Sequence, residues 1–188
     1  MNSAKRSNGF SMIEVLVALL IIAVGVLGAV ALQTRAVQAG MESYQRTQAL
    51  LLVEDMMARL KNNKAHVSTC YAAVGRGTTA YLGSGVSSAP SGCNTVADAD
   101  LAAWHGLLLG AAEIQGSGSS AQQVGGILNA RGCIDPLVAN GEFRVSVAWQ
   151  GMSKMASSTD KNACAQGAYE HDDYRRVVGV TLRITDLR

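Results

Sequence analysis

The sequence predicts an α+β protein in which one long N-terminal helix packs on a small antiparallel sheet and begins inside a membrane. Three observations predict this fold. An apolar run has no charge from Val15 to Leu32, eighteen residues, which is about the length that crosses a bilayer. An amphipathic pattern continues the run to about Asn62. Near the C-terminus, two segments alternate apolar and polar residues, as half-buried strands do.

The long helix is predicted from Phe10 to about Asn62, because no Pro interrupts it and apolar residues recur at three- and four-residue steps. Beyond the apolar run, the face expected to pack on the rest of the protein contains Val37, Met41, Tyr44, Gln48, Leu51, Leu52, Met56 and Leu60. The opposite face carries Arg35, Glu42, Arg46, Glu54, Arg59 and Lys61. Lysines and asparagines at positions 61–64 are typical of a helix end.

A shorter helix is predicted near Ala97 to Ala112, with Asp98 as its cap. It follows residues 65–95, which are rich in Gly, Ser and Ala and are interpreted as an irregular loop. The face of the short helix that packs in the core is expected to contain Leu101, Trp104 and Leu108. His105 is interpreted as a solvated or partly buried neighbour of the tryptophan, not as a ligand.

The sheet is predicted from two clear strand patterns, Phe143 to Trp149 and Arg176 to Leu187, which suit antiparallel pairing. A further strand is expected near Cys133-Ile134. One face of the sheet would be buried against the amphipathic half of the long helix. The connection from Met152 to Asp173 is polar.

Four cysteines follow the apolar run, and an even number in an exported domain indicates two disulfides. Three pairings are possible. We favour Cys70–Cys93 and Cys133–Cys164, because each closes one local loop, and loops of this size contribute about 3 kcal/mol each in the chain-entropy model. A metal site is the weaker alternative, since the sequence has no C-x-x-C pair and no histidine at ligand spacing from the cysteines.

Composition and motifs do not favour an enzyme or a nucleic-acid-binding protein. Without Lys5 and Arg6, 14 basic residues balance 14 acidic ones, and aromatic residues make up only 5% of the chain. No nucleophile elbow, phosphate-binding loop, zinc-protease motif or dinucleotide fingerprint is present, so no catalytic residue and no cofactor is predicted. The cluster His171-Asp172-Asp173 is interpreted as a solvated turn. A calcium site formed by the two aspartates is the alternative, but the sequence around them lacks the ligand spacing of a known calcium-binding loop.

One carboxylate, Glu14, lies at the start of the apolar run, where an ionisable side chain costs about 2.5–3.5 kcal/mol on membrane-insertion scales. A plain anchor would not need it, so Glu14 is the candidate functional residue. Lys5 and Arg6 form a short basic leader, and Gly9 directly precedes the run. The basic leader predicts a cytoplasmic N-terminus at the inner membrane and a periplasmic head.

These residues resemble the type IV prepilin signal, in which a dedicated membrane peptidase cuts after the glycine and N-methylates the new terminus. The resemblance implies cleavage between Gly9 and Phe10, methylation of Phe10 and a type IV pilin-like fold. It also implies that Glu14 pairs with the Phe10 amine of a neighbouring subunit and so sets the register of assembly. Two alternatives remain open: a secretory signal cleaved after Ala29-Val30-Ala31, and an uncleaved signal anchor.

Gly25 and Gly28 would permit close helix approach and local flexibility. Major pilins have a proline at the position of Ala31, so this chain departs from the bulk subunit. Further pieces resemble the minor pilins called PilV, the type IV pilus modification proteins. These pieces are Ile13–Ala18, Gly25–Gly28, Leu32-Gln33, Asp100–Trp104, Gly132–Ile134, Val145–Trp149 and Arg175–Val178.

This resemblance implies a low-abundance subunit that joins other minor pilins, the major pilin and a large tip adhesin. It would prime the inner-membrane assembly platform and then lie at the fibre tip, supporting twitching motility or adhesion. The predicted domains are a leader (1–9), a transmembrane and polymerisation helix (10–32), its amphipathic continuation (33–64) and a periplasmic head (65–188). The alternatives are a minor pseudopilin of type II secretion and a membrane-anchored adhesin or enzyme. The charge balance does not support DNA uptake.

Overall fold

The computed structural model describes residues 9–75, 81–118, 122–138, 141–155 and 162–184. The chain divides into two compact units, Met1–Met41 and Glu42–Arg188. Of the predicted leader, only Gly9 lies within the described residues, and residues 185–187 of the predicted last strand lie outside them.

The predicted long helix is present as α1, Met12–Asn62, which begins two residues after the expected start and ends where expected. Its 51 residues contain no Pro and are rich in Leu, Ala, Val and Ile. Basic side chains, Arg59 and Lys61, lie in its last turn, where the helix dipole favours positive charge. Sequence periodicity was therefore sufficient to define this element.

Within the second unit, α1 buries part of the predicted face: Met56 and Leu60 are buried as expected, and Leu52 packs against the core. Tyr44 and Leu51 were expected to be buried but are 60% and 53% exposed, so that part of the prediction is wrong. The sequence contains two apolar stripes at helical spacing, and periodicity alone does not tell which one the head covers. The fully buried stripe consists of Ala49, Val53, Met56 and Leu60.

Within the described residues, the strands are β1 Leu82–Gly83, β2 Ile114–Gln115, β3 Gln122–Gln123, β4 Arg131–Val138, β5 Glu142–Gln150 and β6 Arg175–Arg183. Four of them form an antiparallel sheet in the order β1-β4-β5-β6, and β2 pairs with β3. The three predicted strands correspond to β4, β5 and β6. The short β1 lies in the stretch that was expected to be an irregular loop.

The register of β5 and β6 places their apolar side chains on one face of the sheet. Val145 lies opposite Val180, and Val147 lies opposite Val178. The two β5 valines are fully buried, whereas the β6 valines are partly buried, because β6 forms an edge of the sheet. This face shares one core with the buried stripe of α1, as expected from the strand and helix patterns.

The second helix, α2, spans Thr95–Leu109. Its N-cap is Asn94, whose side-chain oxygen accepts from the backbone N–H groups of Val96 and Ala97 at 3.1 and 3.2 Å. The prediction that Asp98 caps the helix is wrong. The Asp98 carboxylate instead accepts from the backbone N–H groups of the preceding turn, at Gly92 (2.7 Å) and Cys93 (3.3 Å).

Trp104 joins α2 to both α1 and the sheet. It is fully buried, as predicted, and its indole N–H donates to the Leu52 carbonyl of α1 at 2.9 Å. On the other side, the ring lies so close to Gly132 of β4 that a Cβ at that position would overlap it. Glycine at the start of β4 therefore lets the tryptophan approach the strand.

Two disulfides, Cys70–Cys93 and Cys133–Cys164, close local loops of the head. They are the pairs that the sequence analysis favours. The first joins the turn after α1 to the turn before α2. The second fixes the loop that packs against β4. The side chain of Arg175 supports that loop, since its Nη1 donates to the Cys164 carbonyl at 3.2 Å and the Asn162 carbonyl at 3.0 Å.

A polar network that the sequence analysis missed links α1, α2 and the turn at Tyr71. The Asp100 carboxylate accepts from the Tyr71 hydroxyl at 2.5 Å and pairs with Arg59 at 3.0 Å. Arg59 also pairs with Asp55 on its own helix at 2.8 Å. Burial, followed by the bond to Asp100, raises the pKa of Tyr71 to about 12. These bonds fix the C-terminal end of α1 against the head.

His105 lies in the protein interior and ties α2 to β1. It is 8% exposed, and its Nδ1 accepts from the backbone N–H of Gly83 at 3.0 Å. Burial lowers the pKa of His105. The bond requires an unprotonated Nδ1, so the folded head favours the neutral ring.

We expect the free energy of unfolding to fall as the pH drops below about 6.5, the usual His pKa, because the unfolded chain then binds a proton that folded His105 resists. His105→Asn offers an acceptor but does not titrate, so it should lose this part of the pH dependence. Chemical denaturation of the full chain in detergent, at about pH 8 and about pH 5, measures both proteins. An unchanged pH dependence in the variant would contradict this role of His105.

Candidate functional site

The candidate functional site is the N-terminal part of the chain, from Gly9 to Met41. Every residue of this segment is exposed within the chain, and the Phe10 side chain is 86% exposed. The exposure continues along the helix through its leucines, isoleucines and valines. The segment therefore presents an apolar surface that the chain itself does not cover.

The length and composition of α1 suit a membrane span. Its most apolar window of 18 residues has a mean hydropathy of 3.1, and none of that window is buried within the protein. Among the described residues, it is the one helix with these properties. An exposed apolar surface of this size is stable only where lipid or other apolar helices cover it.

The start of α1 gives Glu14 a favourable position. The Ser11 side-chain oxygen accepts from the Ile13 N–H at 3.3 Å, and the Ser11 carbonyl accepts from the Glu14 N–H at 3.1 Å. Glu14 thus lies in the first helical turn, where the helix dipole stabilises a carboxylate. The capping role of Ser11 was not predicted, although a serine three residues before a glutamate is the capping-box spacing.

Gly25 and Gly28 continue the helix without interruption. A Cβ at either position would meet no atom within 4 Å. Packing within the described residues therefore does not require glycine there, and each glycine lowers local helix stability by about 1 kcal/mol. Their role in close helix approach or flexibility remains a prediction.

The acidic cluster at residues 171–173 forms a short 3₁₀ turn in which protein groups engage both carboxylates. The Asp172 carboxylate accepts from the Gly167 N–H at 3.1 Å, and Asp173 pairs with Lys154 at 3.2 Å. Across the described parts of the chain, no three His, Cys, Asp or Glu side chains are grouped so as to hold a metal ion.

Two family models match adjoining parts of the chain. Residues 4–30 match the prokaryotic N-terminal methylation motif, and residues 31–104 match the family described as type IV pilin Tt1218. Together the matches cover more than half of the 188 residues, including the candidate site and all of α1. No curated protein and no solved structure matches the chain.

The motif, the exposed apolar helix and the small antiparallel sheet fit a class of subunits that carry an N-terminal methylation motif on an apolar helix suited to membrane anchoring. Within that class, the chain matches the type IV pilins: residues 31–104 fit the model of one of their families, and a long helix packed on a small antiparallel sheet is a type IV pilin-like α+β fold. Type IV pilins are structural proteins, and the motif implies processing by prepilin peptidase and association with other pilus components. The apolar helix fits both membrane anchoring and incorporation into a pilus.

Replacing Gly25 and Gly28 together by Ala should stabilise the helix by about 1 kcal/mol per site, because the new methyl groups meet no atom. Amide hydrogen exchange of the protein in detergent micelles should slow around these positions. Gly92→Ala is the matched control: it also has open space, but its φ of +92° strains alanine, so it should destabilise the head. Unchanged exchange in the double variant would contradict the expected gain.

Proposed function

We propose that this chain is a PilV-like minor pilin. In this role it primes type IV pilus assembly at the inner membrane and then lies at the fibre tip with other minor pilins and a large adhesin. The observation that carries the proposal is the methylation motif, which spans residues 4–30 and so includes the first part of an apolar helix that the chain leaves exposed. Such a helix can leave the lipid only if neighbouring helices cover it.

Cleavage after Gly9 would leave Phe10 as the first residue, with Ser11 capping the helix. Within the described residues, the Glu14 side chain makes no hydrogen bond or ion pair. A carboxylate or an ammonium group is costly in apolar surroundings when alone and tolerated when paired. The Phe10 amine of one subunit and Glu14 of its neighbour would therefore favour one axial register.

A low-abundance role is supported by the helix itself. Helix α1 passes through Ala31 without a break, at the position where major pilins of the resembling family have a proline. Any local loosening during assembly would then use Gly25 and Gly28. The orientation follows from Lys5 and Arg6, which favour a cytoplasmic N-terminus and a periplasmic head.

Mass spectrometry of the N-terminal peptide, on protein from its own host, tests the processing step. We expect a terminus at N-methylated Phe10. Gly9→Val should leave the leader uncut, while Gly40→Val should be processed normally, because Gly40 lies far along the helix in open space. A terminus at Leu32, or an intact Met1 in the unaltered chain, would rule out the pilin function proposed here.

Glu14→Gln and Glu14→Val should still be cleaved but should enter pili at least tenfold less than the unaltered chain. A tenfold loss corresponds to about 1.4 kcal/mol, a modest value for a lost charge pair in apolar surroundings. Immunoblots of sheared pili and of membranes measure the ratio. Glu54→Gln, an exposed carboxylate on the same helix, is the control and should assemble normally.

Unchanged incorporation of the Glu14 variants would contradict the register role and favour a plain anchor that carries an adhesin or an enzyme. Deletion of the gene separates the two assembly systems. Loss of pili and twitching supports the minor pilin, whereas loss of protein secretion with intact pili would favour the pseudopilin.

A further inference from the structure

Arg131, at the start of β4, is a buried arginine that pairs with no carboxylate among the described residues. Arg131 is only 9% exposed, and its Nε donates to the Ser84 carbonyl at 3.0 Å. A guanidinium has five N–H donors in a planar fork. This bond engages one of them, so most of the donor capacity remains.

Two tyrosine rings enclose the guanidinium. Its carbon lies 4.3 Å from the centre of the Tyr169 ring and 5.2 Å from the centre of the Tyr81 ring. The Tyr169 hydroxyl donates to the Asn129 carbonyl at 3.1 Å, which fixes that ring in place. The ring faces stabilise a cation through their quadrupoles. The Tyr169 hydroxyl also interacts with the guanidinium, although burial is the larger effect and raises the pKa of that tyrosine to about 12.

No carboxylate among the described residues pairs with Arg131, and its Nη1 is buried without a hydrogen-bond partner. The other buried arginine of the sheet, Arg175, does pair with a carboxylate, although its Nε is also buried without a hydrogen bond to any described residue. The Nη1 of Arg175 donates to two carbonyls, and its Nε lies 3.5 Å from the Asp172 carboxylate. Among the described residues, therefore, no carboxylate balances the charge of Arg131, and its Nη1 group makes no hydrogen bond.

Gly85 lies beside the Nη2 group of Arg131. It is exposed, with a φ of +90°, and a Cβ there would lie 3.5 Å from Nη2 of Arg131 and 3.4 Å from the Tyr81 hydroxyl. A side chain at this position would begin in van der Waals contact with the guanidinium group. The exposed glycine thus lies directly beside Nη2 and places no side chain against it.

We propose that Arg131, Tyr81 and Tyr169 form a receptor for a single carboxylate that enters beside Gly85. The two oxygens of a carboxylate match the paired prongs of the fork, and one negative charge balances the one cation. A phosphate dianion carries a second negative charge, which the single charge of Arg131 does not balance. The carboxylate could come from an acidic side chain, a chain terminus or a free small acid. The proposal goes beyond the assembly role and does not depend on it.

The test is the thermal unfolding midpoint of the full chain in detergent micelles, with sodium acetate compared with sodium chloride at equal ionic strength. Binding to the folded state should raise the midpoint along a saturable curve. Sodium phosphate is the competing anion. Two capped tripeptides, one with a central glutamate and one with a free C-terminus, distinguish the sources of the carboxylate.

The unaltered chain and the control Arg144→Lys should respond to acetate, whereas Arg131→Lys, which keeps the charge but loses the fork, should not. Gly85→Ala should also lose the response while keeping Arg131. If Arg131→Lys does not fold, Gly85→Ala and the ¹⁵N signal of Arg131 Nε in the unaltered chain decide the question. An equal acetate response in these variants, an unmoved Nε signal, or a larger response to phosphate would overturn the carboxylate receptor.

Discussion

The structure depends on one constraint: the first part of α1 is an apolar surface that its own chain does not cover. In water this surface would drive association, so the subunit is stable only with lipid or with other helices around it. Glu14 lies at one end of that surface, in the first helical turn, where the helix dipole favours a carboxylate before any neighbour arrives. The same chain can therefore exist in two apolar surroundings, a membrane and a bundle of like helices.

The second part of the helix follows the ordinary rules of a soluble core. Trp104 contacts α1 through its N–H and β4 through the face left open by Gly132, so one side chain joins three elements. The Asp100 network and the Cys70–Cys93 disulfide then hold the segment that follows α1 close to α2. The head is built around the last turns of the helix, where Ala49, Val53, Met56 and Leu60 share one core with the sheet and α2.

Local periodicity identified α1, α2 and the strands β4 to β6, because each has a repeat that a single burial direction imposes. It failed where the choice depended on the rest of the fold. The stripes through Leu51 and through Val53 both have helical spacing, and only the packed head selects the second. Asn94 and Asp98 are both good caps, and the turn at Gly92 decides between their roles. The surroundings of Arg131 are invisible in the sequence, because Tyr81 and Tyr169 reach it from distant loops.

The buried stripe of α1 also has a mechanical consequence. From Ala49 to Leu60 the contact line extends about 16 Å along the helix axis. A pull along that axis loads these contacts together, in shear, whereas a sideways force would open them one after another. Glu42 forms an ion pair with Arg176 of the edge strand β6 at 3.2 Å. This pair lies on the N-terminal side of the contact line. Within the unit from Glu42 to Arg188, these contacts therefore share a load applied along the helix axis.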